Sequence, residues 1–425
     1  MHTDYQVGRL RCEYLVDPEG IDERAPRLSW ALLGARRGLR QTAYRVRVAS
    51  SPAALAGAAP DGWDSGRVTS QQTTHVVYDG PPLRSRQVCY WLVQVWDEHD
   101  VSVTSSIGRW SMGLLEPGEW SARWIASNPE TLRRDPDAIT PTLTEPGTPA
   151  LFRRVIEVPT DVQRAVVYAS ARGLIELRLD GERITEDRFA PEWTDYEKRI
   201  HYRTYDVTRW LSPGRHVFGA MLGDGWWSGY VGWQETRARY GSLENSLVVQ
   251  VELERTNGER ITLASDASWL CATGPVLSSD FMMGEVYDAR RARPAWSTAG
   301  AATGGPGAET WLPAREVEPP TARLVAQRSE PVRVTETLRA VSVAEVAPKT
   351  FIYDFGQNLA GWLRLRVRAK AGTRLTIRHA ERLSPDGRLY TENLRRARAT
   401  DVYVCRGDAE EAWEPHFTFH GFQYA

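Results

Sequence analysis

The chain has 425 residues, of which 42% are hydrophobic and 25% are charged, a composition typical of a globular protein with two to four domains. Its formal net charge of −1 argues against a general electrostatic attraction to nucleic acid or to an anionic membrane surface. No segment approaches the roughly 18 consecutive apolar residues of a membrane-spanning helix, and the N-terminus has no apolar signal core. We therefore expect a cytoplasmic protein without nucleic-acid or membrane partners.

Strand patterns dominate the chain. YRVRVAS at 44–50 alternates apolar and polar residues and places Tyr44, Val46 and Val48 on one face. The same alternation recurs in WLVQVWD (91–97), LIELRLDG (174–181), SLVVQVELE (246–254), WLRLRVRA (362–369) and TRLTIRHA (373–380). Only AALAGAA at 53–59 favours a short helix. The pattern predicts an all-β fold of tandem β-sandwiches.

Two biased stretches interrupt the strand patterns. Residues 126–149 are rich in proline, threonine and charge, and residues 297–321 are rich in glycine, alanine and proline. Both compositions are typical of linkers or long surface loops. They predict domains at 1–122, 123–320 and 321–425. The last domain is expected to be incomplete, because the chain ends in an aromatic, strand-like run without a polar tail.

The stretch GDGWWSGYVGW at 223–233 places three tryptophans and a tyrosine among four glycines. Glycine weakens a strand, so a loop that presents flat aromatic rings is the alternative to a core strand. Adjacent residues of a strand point to opposite faces, so one of Trp226 and Trp227 is expected to lie inside.

Several collinear motifs resemble the bacterial α-L-rhamnosidases of glycoside hydrolase family 78. In the middle segment they are LDGERI (179–184), APEWTDYEKRIHYRTYDVT (190–208), LGDGWWSGYVGW (222–233) and GEVYDARR (284–291). In the last segment they are YDFGQNLAGWLRLRV (353–367), HAERLSPDGRLYTENLRRARATDVY (379–403) and EPHFTFHGFQY (414–424). The first segment, with YRVRVAS, WDSGRV (63–68) and GRWSMG (108–113), resembles a fibronectin type III sandwich.

The resemblance implies a domain order. A fibronectin type III-like domain is followed by a jelly-roll similar to carbohydrate-binding module family 67 and then by a concanavalin-like β-domain. It also implies inverting hydrolysis of terminal α-L-rhamnosides on an (α/α)6 barrel that this chain lacks. We therefore expect an accessory portion that is inactive alone, has no catalytic residue of its own, and has L-rhamnose or a rhamnoside and the missing barrel as partners.

The resemblance further implies a rhamnose-binding site in the middle segment. An indole ring can stack on the C–H face of a sugar, while carboxylates accept its hydroxyl groups. The predicted carbohydrate-binding residues are Trp193, Asp195, Asp224, Trp226, Trp227 and Tyr230. Two other interpretations of these motifs stay open: a packing or docking role, and a role beside the missing active site.

Metal and cofactor binding are left open. The family's modules bind calcium in the best-known cases, but here Asp195 is followed by Tyr196 where asparagine is typical, and one carboxylate contributes little to a site of six to eight oxygens. His379, His416 and His420 suggest a metal at first sight, although their strand-like surroundings argue against ligation. Pairs such as Glu381 with Glu392 are attributed to chance among 54 acidic residues.

Two other functions compete with the enzyme-portion interpretation. One is a stand-alone, non-catalytic carbohydrate-binding protein, and the other is an adhesion or scaffolding array of sandwiches. A reading frame that continues past Ala425 into a long helical segment would favour the enzyme portion over both.

Overall fold

The computed structural model describes residues 5–57, 59–293, 295–299, 311–407 and 410–425. They form two compact units: Met1–Ser121 with Arg203–Asp206 and Leu324–Glu330, and Ala122–Tyr202 with Val207–Arg323 and Pro331–Ala425. Regular structure is nearly all strand, which confirms the all-β prediction. Within these ranges no helix has the length and apolar character needed to cross a bilayer.

The helices of the described ranges are short. They are α1 (Pro52–Ala56), α2 (Pro129–Arg134) and α3 (Gly225–Ser228), with 3-10 turns at Pro117–Glu119, Thr208–Trp210, Ala289–Arg291 and Glu392–Leu394. The helix expected at 53–59 is therefore present as α1. It begins at Ser51, whose hydroxyl accepts a hydrogen bond from the Ala54 amide at 3.1 Å.

The first unit contains strands β1–β9. They are β1 (Tyr5–Cys12), β2 (Arg27–Gly34), β3 (Gln41–Ala49), β4 (Trp63–Asp64), β5 (Val68–Thr69), β6 (Val76–Val77), β7 (Val88–Asp97), β8 (Ser102–Thr104) and β9 (Gly108–Ser111). One sheet has the order β1-β2-β6, and the other has the order β4-β3-β7-β8 with β5 on β3 and β9 on β7.

Alternating burial along these strands builds the core of the first unit. Tyr44, Val46 and Val48 are buried on β3, as their spacing predicts, and Trp91 and Trp110 are fully buried on β7 and β9. All five belong to one apolar cluster. Trp91 and Trp110 are therefore part of the core of the first unit.

The middle segment contains strands β10–β24. They are β10 (Ile125–Ala126), β11 (Ala150–Val158), β12 (Val162–Arg172), β13 (Leu174–Leu179), β14 (Glu182–Arg183), β15 (Arg199–Asp206), β16 (Gly214–Gly223), β17 (Ser246–Arg255), β18 (Arg260–Ala264), β19 (Leu270–Thr273), β20 (Val276–Asp280), β21 (Gly284–Asp288), β22 (Leu312–Pro313), β23 (Arg315–Glu316) and β24 (Arg323–Ala326).

Strand β16 positions the aromatic loop. It lies between β13 and β11 in a sheet of order β14-β13-β16-β11-β19-β22 and pairs with β11 from Ala150 opposite Leu222 to Val158 opposite Gly214. Residues 216–223 are all buried, so the strand is anchored along its C-terminal part. It ends at Gly223, and the chain continues at once into Asp224 and α3.

The last segment contains strands β25–β33. They are β25 (Ser342–Ala347), β26 (Thr350–Gly361), β27 (Leu365–Val367), β28 (Arg374–Arg378), β29 (Arg382–Leu383), β30 (Leu389–Tyr390), β31 (Thr400–Val404), β32 (Glu411–Trp413) and β33 (His420–Tyr424). Strands β31 and β28 join β20 and β21 in one sheet, and β21 pairs with β31 in parallel. The predicted boundary at residue 320 therefore does not separate the sheets.

Removal of the Trp110 indole should destabilise the first unit. Trp110→Ala leaves a cavity among fully buried neighbours, so we expect the free energy of unfolding to fall by about 3–5 kcal/mol. Urea denaturation followed by circular dichroism measures the loss. Val77→Ala is the control, since Val77 is 51% exposed and its truncation should change stability by less than about 0.5 kcal/mol. Equal effects of the two changes would contradict the assigned core.

Candidate functional site

Two indole rings lie parallel at the surface of the second unit. The Trp193 and Trp226 ring centroids are 6.2 Å apart, with an angle of 4° between the planes. Trp193 is 50% exposed, and its Nε1 donates a hydrogen bond to the Tyr240 hydroxyl at 2.8 Å. Trp226 is partly buried and contacts Phe281, with 4.3 Å between ring centroids. We call Trp193 and Trp226 the indole pair.

Aromatic side chains continue inward from the indole pair. Phe281 contacts Phe189 at 5.3 Å and Phe419 at 5.2 Å between ring centroids. Phe189 is buried, whereas Phe419 remains 36% exposed. The pair therefore rests on a packed aromatic support, which restricts the motion of the Trp226 ring.

Glycines make the tight geometry of α3 possible. Gly225 has a φ of +54°, and a Cβ there would lie 2.5 Å from the Leu174 Cγ. A Cβ on Gly229 would lie 2.3 Å from the Gly225 carbonyl oxygen. These glycines are required by contacts within the protein itself.

Asp224 lies in the interior and is fully paired. It forms an ion pair with the buried Arg237, and its Oδ1 accepts hydrogen bonds from the Ser228 hydroxyl at 2.9 Å and the Asn245 amide at 2.7 Å. Burial raises the pKa of Asp224, and the charge of Arg237 opposes that rise. The carboxylate therefore holds the loop that follows β16.

Trp227 and Tyr230 are also buried, and each uses its polar group within the protein. Trp227 Nε1 donates to the Glu244 carbonyl at 2.8 Å, and the Tyr230 hydroxyl donates to the Thr144 carbonyl at 2.9 Å. Of the neighbouring residues Trp226 and Trp227, the second is thus the one that faces inward. Both lie in α3, so the strand alternation from which this was predicted is not its cause.

The segment from Phe189 to Lys198 presents Trp193 and Asp195. Phe189 and Glu192 have φ values of +57° and +69°, a conformation that is uncommon for side-chain-bearing residues and is often found at functional sites. The Asp195 carboxylate pairs with Lys198 Nζ at 2.8 Å, and this hydrogen bond lowers the pKa of Asp195. Asp195 is therefore an exposed, ionised acceptor near neutral pH.

The six predicted site residues thus fall into two groups. Trp193, Trp226 and Asp195 are wholly or partly accessible, whereas Asp224, Trp227 and Tyr230 are buried. The sequence interpretation missed Tyr240 and Phe281. Alternation along the chain could not have found them, because both lie outside regular strands.

The calcium expectation is not tested by this geometry. Tyr196, which follows Asp195, is buried edge-on against Trp227 and Tyr240, and burial raises the pKa of its hydroxyl. Its side chain points into the protein and offers no oxygen beside the Asp195 carboxylate.

Two of the three histidines meet around Asp401. His420 Nε2 lies 3.2 Å from both carboxylate oxygens, and His379 Nε2 lies 3.9 Å from Oδ2. The two imidazole rings are stacked, with centroids 4.1 Å apart and 25° between planes. Imidazole lone pairs lie in the ring plane, so stacked rings do not converge well on one ion. His420 is hydrogen-bonded to Asp401, whereas the buried His379 Nε2 makes no hydrogen bond to any residue that the structure describes.

His416 belongs to a different interaction. Its Nδ1 lies 3.0 Å from the Glu285 carboxylate, and its ring stacks on Tyr287.

Burial lowers the pKa of His379 to about 4, so His379 is neutral near pH 7, and its Nδ1 donates to the Ala399 carbonyl at 3.0 Å.

Comparison with known proteins places the chain in a family. Three family models match the chain: the Rha78A-like N-terminal immunoglobulin domain at residues 7–116, the α-L-rhamnosidase N-terminal domain at 160–336, and the bacterial α-L-rhamnosidase concanavalin-like domain at 344–425. The chain belongs to the bacterial α-L-rhamnosidase family and corresponds to the N-terminal portion of its members.

Individual relatives agree with this assignment. An α-L-rhamnosidase of Streptomyces avermitilis is 31% identical, and the match covers 97% of this chain and 54% of that protein. One of Formosa agariphila is 34% identical, and the match covers 96% of this chain and 43% of that protein. The crystal structure of the Streptomyces avermitilis α-L-rhamnosidase complexed with L-rhamnose superposes with a TM-score of 0.88 at 30% identity, over 99% of this chain and 55% of that one. The chain spans about half the length of the curated relatives it matches.

Removal of the guanidinium that neutralises Asp224 should destabilise the second unit. Arg237→Met leaves a buried carboxylate without its cation, which should lower the free energy of unfolding by about 3–5 kcal/mol. Urea denaturation measures the change. Arg395→Met is the matched control, because Arg395 is exposed and its guanidinium lies over the Trp233 ring, a contact that contributes about 0.5–1 kcal/mol. A smaller loss in the Arg237 variant than in the control would refute the anchoring role.

Proposed function

We propose that this chain is the β-rich accessory portion of an α-L-rhamnosidase and that its indole pair contacts L-rhamnose or a terminal rhamnoside. The observation that carries the proposal is the parallel arrangement of Trp193 and Trp226, with one ring half exposed. A pyranose presents a face of C–H bonds that an indole can cover, and a fixed aromatic surface lowers the ordering cost of binding.

Polar groups suited to sugar hydroxyls lie beside the indole pair. Asp195 follows Trp193 by two residues and is ionised, so it can accept hydroxyl hydrogens. The Tyr240 hydroxyl, which accepts from Trp193 Nε1, orients that ring. In this proposal Asp224, Trp227 and Tyr230 hold the loop in place and do not contact the sugar.

Hydrolysis is assigned to a catalytic barrel outside this chain. Inversion requires a protonated acid and an ionised base about 6.5–9.5 Å apart. The lowered pKa of Asp195 makes it unsuitable as the acid, and Asp224 is held in the interior by Arg237. The relatives named α-L-rhamnosidases are about twice as long as this chain, which leaves ample length for a separate catalytic module.

A stand-alone carbohydrate-binding protein is the second candidate. The observation in its favour is that all proposed sugar contacts lie on residues of this chain, within one compact unit. It differs from the first proposal in predicting rhamnose recognition without any rhamnosidase activity in the natural protein.

Loss of either indole should weaken rhamnose binding. We expect L-rhamnose to bind the intact chain with a Kd on the order of tens of micromolar to one millimolar, about 4–6 kcal/mol. Trp193→Ala and Trp226→Ala should each raise Kd by roughly three- to tenfold, and Asp195→Ala should raise it as well. Isothermal titration calorimetry, with and without a calcium chelator, measures these changes, and we expect no effect of the chelator.

The matched control is Trp233→Ala. Trp233 is 77% exposed on the same loop and is not part of the indole pair, so its removal should leave Kd unchanged. An equal loss in this variant, or no rhamnose binding by the intact chain with or without calcium, would overturn the sugar-contact proposal. A chelator-sensitive Kd would instead restore the calcium-dependent form of the site.

The isolated 425 residues should not hydrolyse an aryl α-L-rhamnoside. The physical reason is the missing acid–base pair, and release of the aryl alcohol monitored by absorbance is the measurement. Turnover that a substitution within residues 1–425 abolishes, in a sample cleared of host enzyme, would contradict the assignment of catalysis to another module.

A further inference from the structure

A cavity lined by three arginines and three glutamates lies in the second unit, and neither residue of the indole pair is part of its lining. Its volume is about 590 Å³, and its lining includes Arg123, Trp124, Arg172, Glu244 and Arg315, with the chain from 316 to 319 along one side. This volume falls in the range of small-molecule sites, about 300–1,000 Å³, and can hold a monosaccharide or a disaccharide.

Arg172 is fixed between two tryptophans. Its Cζ lies 5.3 Å from the centre of the Trp124 ring and 5.5 Å from that of Trp227, and both indoles are buried. Its Nε donates to the Ser246 hydroxyl at 2.7 Å, and its Nη2 donates to the Glu318 carbonyl at 3.1 Å. The guanidinium is therefore held in one orientation before any ligand arrives.

The charge of Arg172 is not neutralised by an ion pair within the described ranges. Both hydrogen-bond acceptors are neutral, and Nη1 makes no hydrogen bond to any residue that the structure describes. Burial lowers the pKa of Arg172, although Glu244 opposes this effect from a distance. Glu244 itself forms an ion pair with Arg315. A half-buried cation with free donors is stabilised by an anion that enters the cavity.

The acidic groups at the rim restrict the kind of anion. Glu316 and Glu318 line the cavity and are exposed, so they repel any anion, and a multiply charged anion more strongly than a singly charged one. The guanidinium matches carboxylate and phosphate geometry alike, so this repulsion, and not the shape of the anion, favours a singly charged carboxylate.

We propose that this cavity binds the carboxylate of a uronic acid, with Arg172 as the anchoring cation. The choice of an acidic sugar over other small carboxylates rests on the proposed function of the chain in saccharide recognition. Carboxylate recognition by Arg172 rests on the cavity alone.

The test titrates D-glucuronate into the intact 425-residue chain, with D-glucose as the neutral counterpart and acetate and sulfate as anion controls. We expect glucuronate to bind in the millimolar range or tighter, and at least about fivefold more tightly than each of the other three. Equal binding of glucose would overturn carboxylate recognition, and equal binding of acetate or sulfate would overturn the assignment to an acidic sugar.

Variants locate the site. Arg172→Gln should weaken glucuronate binding by roughly tenfold. Arg172→Lys keeps the charge but not the planar fork, so its glucuronate affinity should lie between those of Arg172→Gln and the unsubstituted chain. Since Arg172→Gln could disturb the Trp124–Trp227 packing, the lysine variant and circular dichroism of both provide the folding check. Arg237 is left intact in all samples. Unchanged glucuronate affinity in folded Arg172 variants would overturn the proposal.

A rhamnose titration of the same samples separates this proposal from the proposed function. Trp193→Ala should weaken rhamnose binding and leave glucuronate binding unchanged. Arg172→Lys should weaken glucuronate binding and leave rhamnose binding unchanged. Failure of rhamnose binding with intact glucuronate binding would refute only the indole-pair proposal, and the opposite result would refute only the cavity proposal.

Discussion

The buried ion pair between Asp224 and Arg237 is the constraint on which the candidate site depends. It joins the end of β16 to the far side of the aromatic loop, and Arg237 Nη1 also donates to the carbonyls of Thr142 and Glu145 at 3.0 and 2.7 Å. One guanidinium thus ties the loop to the proline-rich segment at 126–149. A buried charge pair tolerates few alternative geometries, because separating the charges in the interior is costly. The loop can therefore be rich in glycine and still hold its aromatic rings in place.

Much of the fold follows from period-two alternation in the sequence. Strand β7 buries every second residue, and β3 does so from Tyr44 to Val48, so their faces could be assigned from the sequence. The family motifs indicated the order of the domains. The pairing of β21 with β31 could not be predicted in this way. It joins residues more than 100 positions apart in parallel, and no local pattern specifies which distant strand lies alongside.

The candidate site was predicted only in part for a related reason. Aspartate and tryptophan in a glycine-rich loop suggested a ligand site. Residue type alone does not show that Arg237, 13 residues further along the chain, forms an ion pair with Asp224. Arg237 satisfies Asp224 and turns a predicted sugar acceptor into an internal support. By contrast, the Asp195 carboxylate pairs with the exposed Lys198 and accepts a hydrogen bond from the Glu197 amide, and a surface pair of this kind leaves the carboxylate accessible to solvent.

Trp227 connects the surroundings of the cavity with those of the indole pair. The Arg172 guanidinium lies 5.5 Å from the centre of the Trp227 ring. The Trp227 ring also stacks on Tyr240, whose hydroxyl accepts a hydrogen bond from Trp193 Nε1. Three contacts thus connect Arg172, which lines the cavity, with Trp193 of the indole pair. If occupancy of the first space changes affinity at the second, thermodynamic linkage requires the reciprocal change to have the same free energy. A composite saccharide with both neutral and acidic units would then bind cooperatively, with the coupling carried by Trp227 and Tyr240 in turn.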